Sequence, residues 1–126
     1  MSNFLKNKQI QGKIAYHRGI RAENLAATYF KKEGWDILQR RFQCPAGEID
    51  LIIFKEEWLI FVEVKVRRNI DDALHSLNHR QKKRLIEAAE FFIATYNVKK
   101  FDKIRFNVIA INLKNQIEHI KNITMV

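Results

Sequence analysis

The sequence predicts an α/β fold: one domain with an αβββαβ core, in which helices flank a mixed β-sheet. Three observations carry that expectation. Residues 47–68, GEIDLIIFKEEWLIFVEVKVRR, hold two β-rich runs joined by the polar tripeptide Lys55-Glu56-Glu57. Segments with apolar residues at helical spacing stand on either side of this hairpin. A further apolar run at residues 104–113 follows the second of those helices, so the chain crosses over before it returns to the sheet.

The first helix is read from residues 16–33, where Ala22, Leu25, Ala26, Tyr29 and Phe30 recur at helical spacing and Gly34 supplies the stop. Ahead of it, residues 1–13 carry Lys6, Lys8 and Lys13 with little apolar periodicity; they read as a basic flexible N-terminal arm or a frayed helical start. Residues 14–126 then form the single domain. Residues 35–43 (WDILQRRFQ) make a first strand, broken by the turn residues Cys44-Pro45-Ala46-Gly47. The hairpin follows. After Arg67, Arg68 and Asn69 the chain turns polar and irregular from Asp71-Asp72 onward. Asn78 is placed to cap a second helix running to about Tyr96, with Leu85, Ala88, Ala89, Phe92, Ile93 and Tyr96 as its buried stripe. The strand at 104–113 and a short edge strand at 116–120, after the turn Lys114-Asn115, complete the sheet.

With 126 residues, 47% of them hydrophobic and nine of them Phe, the chain has the apolar content to bury a core, which excludes a disordered polypeptide. Its single cysteine, Cys44, excludes an internal disulfide framework and fits a reducing compartment, as a small, partly buried residue. No apolar run approaches the roughly 20 residues that span a bilayer, and MSNFLKNKQIQGK lacks a signal-peptide core. The expectation is a soluble cytoplasmic protein without a membrane partner. Against 14 Asp and Glu stand 23 Lys and Arg, a net charge of +9. That balance favours an anionic partner, nucleic acid first and an anionic membrane surface second; a basic solvated surface with no partner stays open beside them.

Charges within the hairpin need a reason, because an isolated buried carboxylate costs several kcal/mol or more, roughly. Side chains alternate along a strand, so Glu48 shares a face with Asp50, and Glu63 with Lys65. A register pairing Lys55 with Trp58, or Phe54 with Leu59, sets Asp50 across from Glu63; a shift of one residue separates them. Two carboxylates there offer hard oxygen ligands for Mg²⁺ or Mn²⁺, with Lys65 one pleat further on to stabilise charge on phosphoryl oxygens. The competing arrangement is an internal salt bridge from Lys65 to Glu63 or Asp50 without metal. Glu23 lies beside the apolar stripe of the first helix, either turned toward the core edge or exposed and paired with Arg18 or Lys13. Arg67, Arg68, Arg80, Lys82, Lys83 and Arg84 follow the acids closely and are candidates for holding a phosphate backbone. His75 and His79 are spaced for one helix face, but with no H-E-x-x-H pattern or Cys partner they read as solvated or phosphate-facing.

An acid, 12 intervening residues and then Glu-x-Lys, within a helix-strand-strand-strand-helix-strand order, resembles the PD-(D/E)xK nuclease superfamily. Asp50, Glu63 and Lys65 match its acid, acid and lysine. More of the chain, through RGIRAENLAATYFKKEGWDIL, GEIDLI, IFVEVKVRR, KKRLIEAAEFF and RFNVIAI, is similar to the YraN-type family of small bacterial proteins, which is endonuclease-like and related in fold to archaeal Holliday-junction resolvases. The resemblance implies a restriction-endonuclease-like core and a metal-dependent nuclease acting on DNA, branched or structured DNA included. The alternative is a non-catalytic nucleic-acid-binding protein that keeps the fold. It makes Glu23 and Glu48 helpers at a site where Asp50 and Glu63 hold the metal. A homodimer is expected if junctions are cut, since that takes two sites. Two positions depart from the family: Asn107 stands where it has an aspartate in Arg-Phe-Asp, and Gln81 where it commonly has a lysine.

Overall fold

The computed structural model describes residues 3–98 and 100–123. Helix α1 (Asn3–Lys32) leads into strands β1 (Asp36–Cys44), β2 (Gly47–Lys55) and β3 (Trp58–Val66); helices α2 (Ile70–His75) and α3 (His79–Thr95) cross over to β4 (Lys103–Ile111) and β5 (Ile117–Ile120). The five strands form one sheet in chain order. β1, β2 and β3 pair antiparallel, β3 and β4 run parallel, and β5 returns antiparallel on β4. The mixed α/β sheet expected from the hairpin and the crossover is present.

Each face of the sheet is covered by one long helix. Ala22, Ala26, Ala27 and Phe30 of α1 pack on Leu51, Ile53, Ile60, Val62, Ile109 and Ile111. Leu85, Ala88, Ala89 and Phe92 of α3 pack on Ile52, Leu59, Phe61 and Val108 of the other face. Small residues on both helices let their backbones lie close over the large β-branched and aromatic side chains of the strands.

Local chemistry sets the boundaries. Gly34, at φ +90, ends α1: its N–H bonds to the Lys31 carbonyl at 3.1 Å and the Trp35 N–H to the Phe30 carbonyl at 2.9 Å, a Schellman closure that needs the left-handed conformation. Asn78 caps α3 as expected, its side chain accepting from the Gln81 N–H at 2.9 Å. The β2–β3 register pairs Lys55 with Trp58 and Phe54 with Leu59 around the turn Glu56-Glu57, the alignment that the acid pair requires.

Four boundaries differ from expectation. α1 begins at Asn3, earlier than residue 16: of the two readings of the N-terminal segment, arm or helical start, residues 3–13 take the helical one, since no proline or cap interrupts the run, and residues 1–2 lie outside the described residues. Residues 70–75, expected as irregular, form α2, because Asn69 accepts the Asp72 N–H at 2.8 Å and Ala73 is fully buried. Tyr96 is 46% exposed instead of buried, stacking its ring on Phe92 at 4.6 Å from the end of α3. β4 stops at Ile111, and Leu113 is exposed. No helix among the described residues is long and apolar enough to cross a membrane.

Candidate metal centre

Asp50 sits where the regular geometry of the sheet breaks. Leu51 and Ile53 pack under α1 and Ile52 under α3, as alternation demands, yet Ile49 also packs on the α3 side, where strict alternation would set it with Leu51. Opposite this irregularity, Arg41 of β1 has φ 50, and the ladder passes from Arg40–Leu51 to Phe42–Ile49 without pairing Arg41 and Asp50. On the other side the β2–β3 ladder ends at Leu51–Val62. The next backbone donor, Val64 N–H, bonds to Asp50 Oδ2 at 2.8 Å. A side chain has replaced a backbone partner, so the strands part and open an end of the sheet to acids from neighbouring elements.

Those acids converge. Carboxylate oxygens of Glu23 from α1 and of Glu48 and Asp50 from β2 all lie within 4.8 Å of one another. Glu23 is 9% exposed, and Arg41 donates to its Oε2 from Nε at 2.6 Å; among the described residues neither Arg18 nor Lys13 forms an ion pair with it. Glu63 and Lys65 stand beside the group and pair with each other at 3.3 Å. Burial pushes the Asp50 carboxyl up to about 8, aided by the charges of Glu63, Glu23 and Glu48 and opposed by the Val64 N–H. Burial raises Glu63 too, the Lys65 ammonium holding it back. Acids crowded this closely need either a proton or a cation. All the donors are carboxylate oxygens, the ligand type that Mg²⁺ and Mn²⁺ prefer, so the residues fit such an ion.

Of the five acid and lysine candidates of the hairpin and α1, Glu23, Glu48 and Asp50 form the cluster, while Glu63, expected as the second metal ligand, lies outside it and pairs with Lys65. Asp50 belongs both to the pair read from the sequence and to the three-carboxylate cluster; Glu63 joins from across β3 through its charge on Asp50. A cavity of about 200 Å³ lined by Gly47, Glu48, Glu63, Lys65, Gln81, Arg84 and Leu85 opens onto the acids from the α3 side. Of the basic candidates, Arg84 lines this cavity, while Arg80 and Lys83 are exposed along α3 and Lys82 is half-buried. Arg67 and Arg68 are exposed at the end of β3, and Arg67 Nη1 donates to the Val66 carbonyl at 2.6 Å. His75 and His79 are both exposed but fall in separate helices, so they share no helix face. Cys44 is half-buried, its thiol 3.4 Å from the Gly47 carbonyl.

Arg41 is the residue that sequence reading missed, since nothing in QRRFQ marks one arginine as left-handed and turned to a helix acid. Gln81 lies in the acid cavity with its Oε1 buried and without a hydrogen-bond partner among the described residues. Asn107 is outside the acid cluster: buried mid-strand on β4 opposite Val62, it bonds His119 and the Asn122 N–H.

Residues 22–111 match the family model of UPF0102, an uncharacterised protein family. A UPF0102 protein of Granulibacter bethesdensis is 38% identical over 113 residues, covering 90% of this chain and 72% of that protein. Another, of Nitrobacter winogradskyi, is 37% identical over 106 residues, 84% of this chain and 90% of its own length. A third, of Rhodopseudomonas palustris, is 39% identical over 97 residues, 77% of this chain and 75% of that protein.

Proposed function

The chain belongs to the UPF0102 family, and from its acid cluster we propose that it is a metal-dependent nuclease hydrolysing phosphodiester bonds in DNA, branched or structured DNA among the substrates. The observation that carries this reading is the meeting of Glu23, Glu48 and Asp50 within 4.8 Å, with Glu63 and Lys65 alongside, on a protein of net charge +9.

Asp50, with Glu23 and Glu48, would hold Mg²⁺ or Mn²⁺, Glu63 completing the site from β3. Such an ion supplies Lewis-acid stabilisation of charge on the phosphoryl oxygens. Lys65, 3.3 Å from Glu63, is held by that carboxylate at the edge of the cavity, where its ammonium can face a phosphoryl oxygen. Arg84 on the cavity wall, with Arg80 and Lys83 further along α3, supplies charge for neighbouring phosphates. Arg67 and Arg68 extend that basic rim.

The test is cleavage of single-stranded, duplex, flap and four-way DNA with Mg²⁺ or Mn²⁺. Wild-type protein should cut at least one of these, Asp50→Ala and Glu63→Ala should abolish cutting, and Lys65→Ala should slow it by about 10²-fold, the scale of losing one preorganised electrostatic contact. Cleavage that persists in both acid variants would sink the site. Cutting of a four-way junction would also take two copies of the chain, which sedimentation on junction DNA would reveal as a dimer.

The ion pairs Glu63–Lys65 and Glu23–Arg41 support a second reading, a nucleic-acid-binding protein without turnover, because they neutralise two of the acids internally. Calorimetry separates the two. Mg²⁺ or Mn²⁺ binding that disappears in Asp50→Ala favours the nuclease; intact DNA binding with no metal uptake favours the binding protein.

A further inference from the structure

The far end of β2 and β3 from the acids carries a second cavity, of about 430 Å³, within the roughly 300–1,000 Å³ of small-molecule sites. Asp50 and Lys55, on the lining of this cavity, are five residues apart on β2, about 17 Å along the strand. Its back wall is a set of interlocked rings. Tyr29 and Phe30 meet edge to face at 5.3 Å, and the His119 imidazole stands edge-on to both at 5.7 and 5.2 Å. Trp35 and Trp58 line the same space, and they are the two tryptophans of the chain.

Cations converge on these rings. Lys55 Nζ lies 5.8 Å from the Trp35 ring centre and Arg105 Cζ 4.3 Å from that of Trp58, while Lys121 lines the cavity as well. Glu33 and Glu56 are the acids on the lining; Lys55 Nζ donates to the Glu33 backbone carbonyl at 3.3 Å, yet among the described residues none of the three cations forms an ion pair with either carboxylate.

Hydrogen-bond polarity adds a donor. The Asn122 N–H can only donate, so the Asn107 atom that it meets at 2.9 Å is the carbonyl oxygen. The other arm of Asn107 is therefore its NH₂, which donates to His119 Nε2 at 2.9 Å. The imidazole proton then rests on Nδ1 and is directed at the Tyr29 oxygen 3.4 Å away. Tyr29 receives a hydrogen bond, and its own hydroxyl hydrogen is left for the cavity.

Aromatic walls, cations without a carboxylate partner among the described residues and a hydroxyl donor fit a planar base bearing a phosphate. We propose that this cavity is a nucleotide-binding site, in which a base stacks on Trp35 and its phosphate is taken by Lys55, Arg105 and Lys121 with the Tyr29 hydroxyl. The nucleotide can be a free nucleoside monophosphate or an unpaired unit of a DNA strand, since both present the same base and phosphate. The site needs neither metal nor cleavage, so it stands or falls apart from the acid cluster.

Because both tryptophans line the cavity, intrinsic fluorescence reads it directly. The full chain in EDTA is titrated with deoxyadenosine monophosphate, with deoxyadenosine, and with short single-stranded oligodeoxyadenylate. Saturable quenching by the monophosphate, by the oligonucleotide or by both is expected, and which of them binds identifies the source. Tyr29→Phe and Lys121→Ala should each weaken that binding about 5-fold, the effect of one hydrogen bond or one charge contact, and the exposed turn variant Lys114→Ala should leave it unchanged. Calorimetry on the same variants gives an independent affinity. The proposal is overturned if neither ligand quenches, if deoxyadenosine binds as tightly as its monophosphate, or if Tyr29→Phe and Lys121→Ala both bind like wild type.

Discussion

At the scale of single residues, Asp50 is where burial and charge meet most sharply. Its carboxyl is raised from an ordinary 3.8 to about 8 by burial first and by Glu63, Glu23 and Glu48 after it. Across that window the folded protein holds a proton that the unfolded chain has released, so stability without divalent metal falls as pH rises toward 8. Burial and Lys121 lower His119, which acts in the opposite sense below its ordinary 6.5. The comparison therefore belongs between about pH 7 and about pH 9, where His119 is neutral in both states. Thermal melts in EDTA should show wild type losing stability over this range and Asp50→Asn losing less; equal slopes would contradict the raised carboxyl. Mg²⁺ at about 100 times its dissociation constant should return about 2.7 kcal/mol at the upper pH. Arg41→Ala leaves Glu23 buried without its 2.6 Å partner and should cost about 1–3 kcal/mol in urea unfolding. Asp50, Glu63 and Lys65 were legible as acids and a lysine in apolar strands, charges that burial makes conspicuous. Arg41 was not, because its role depends on a backbone turned to φ 50 and on a helix acid 18 residues away.

Among the elements, the hairpin decides the site. Its two-residue turn sets Lys55 against Trp58, and that register runs to Leu51–Val62, leaving Asp50 and Glu63 as the next residues of the two strands, just beyond the paired ladder. Glu56 holds the turn at φ 55, a conformation that costs a side-chain-bearing residue about 1–2 kcal/mol. Glu56→Gly relieves it at some cost in unfolded-state entropy, so a net gain of about 0.5 kcal/mol is expected in chemical denaturation. Asn78→Ala removes the cap of α3 and should cost about 1 kcal/mol by the same measurement. The helix stop at Gly34, the cap at Asn78 and the hairpin were readable because each depends on chemistry within a few residues. α2 was not: its helix depends on Ala73 finding a fully buried place against the β3–β4 end of the sheet, which polar IDDALH does not announce.

For the whole molecule, 23 basic residues against 14 acidic ones surround a concentrated nest of acids. If Arg80, Lys83 and Arg84 contact phosphates, binding of duplex DNA weakens with salt, and replacing the three by alanine lowers the slope of log K against log salt by about 2.7, near 0.9 per contact. An unchanged slope would move the DNA surface away from α3. The α/β class, the order of the main elements and the hairpin were determined by the sequence itself, because periodicity, caps and turn residues act over short distances along the chain. The tertiary structure decided that Glu23 swings in from α1 with Arg41 behind it, and that Asp50 takes the Val64 N–H where the strands part. It also gathered Trp35, Trp58 and Arg105 at the far end of the sheet. Those meetings depend on strand register and helix placement, which join residues far apart in the chain and leave no local pattern behind.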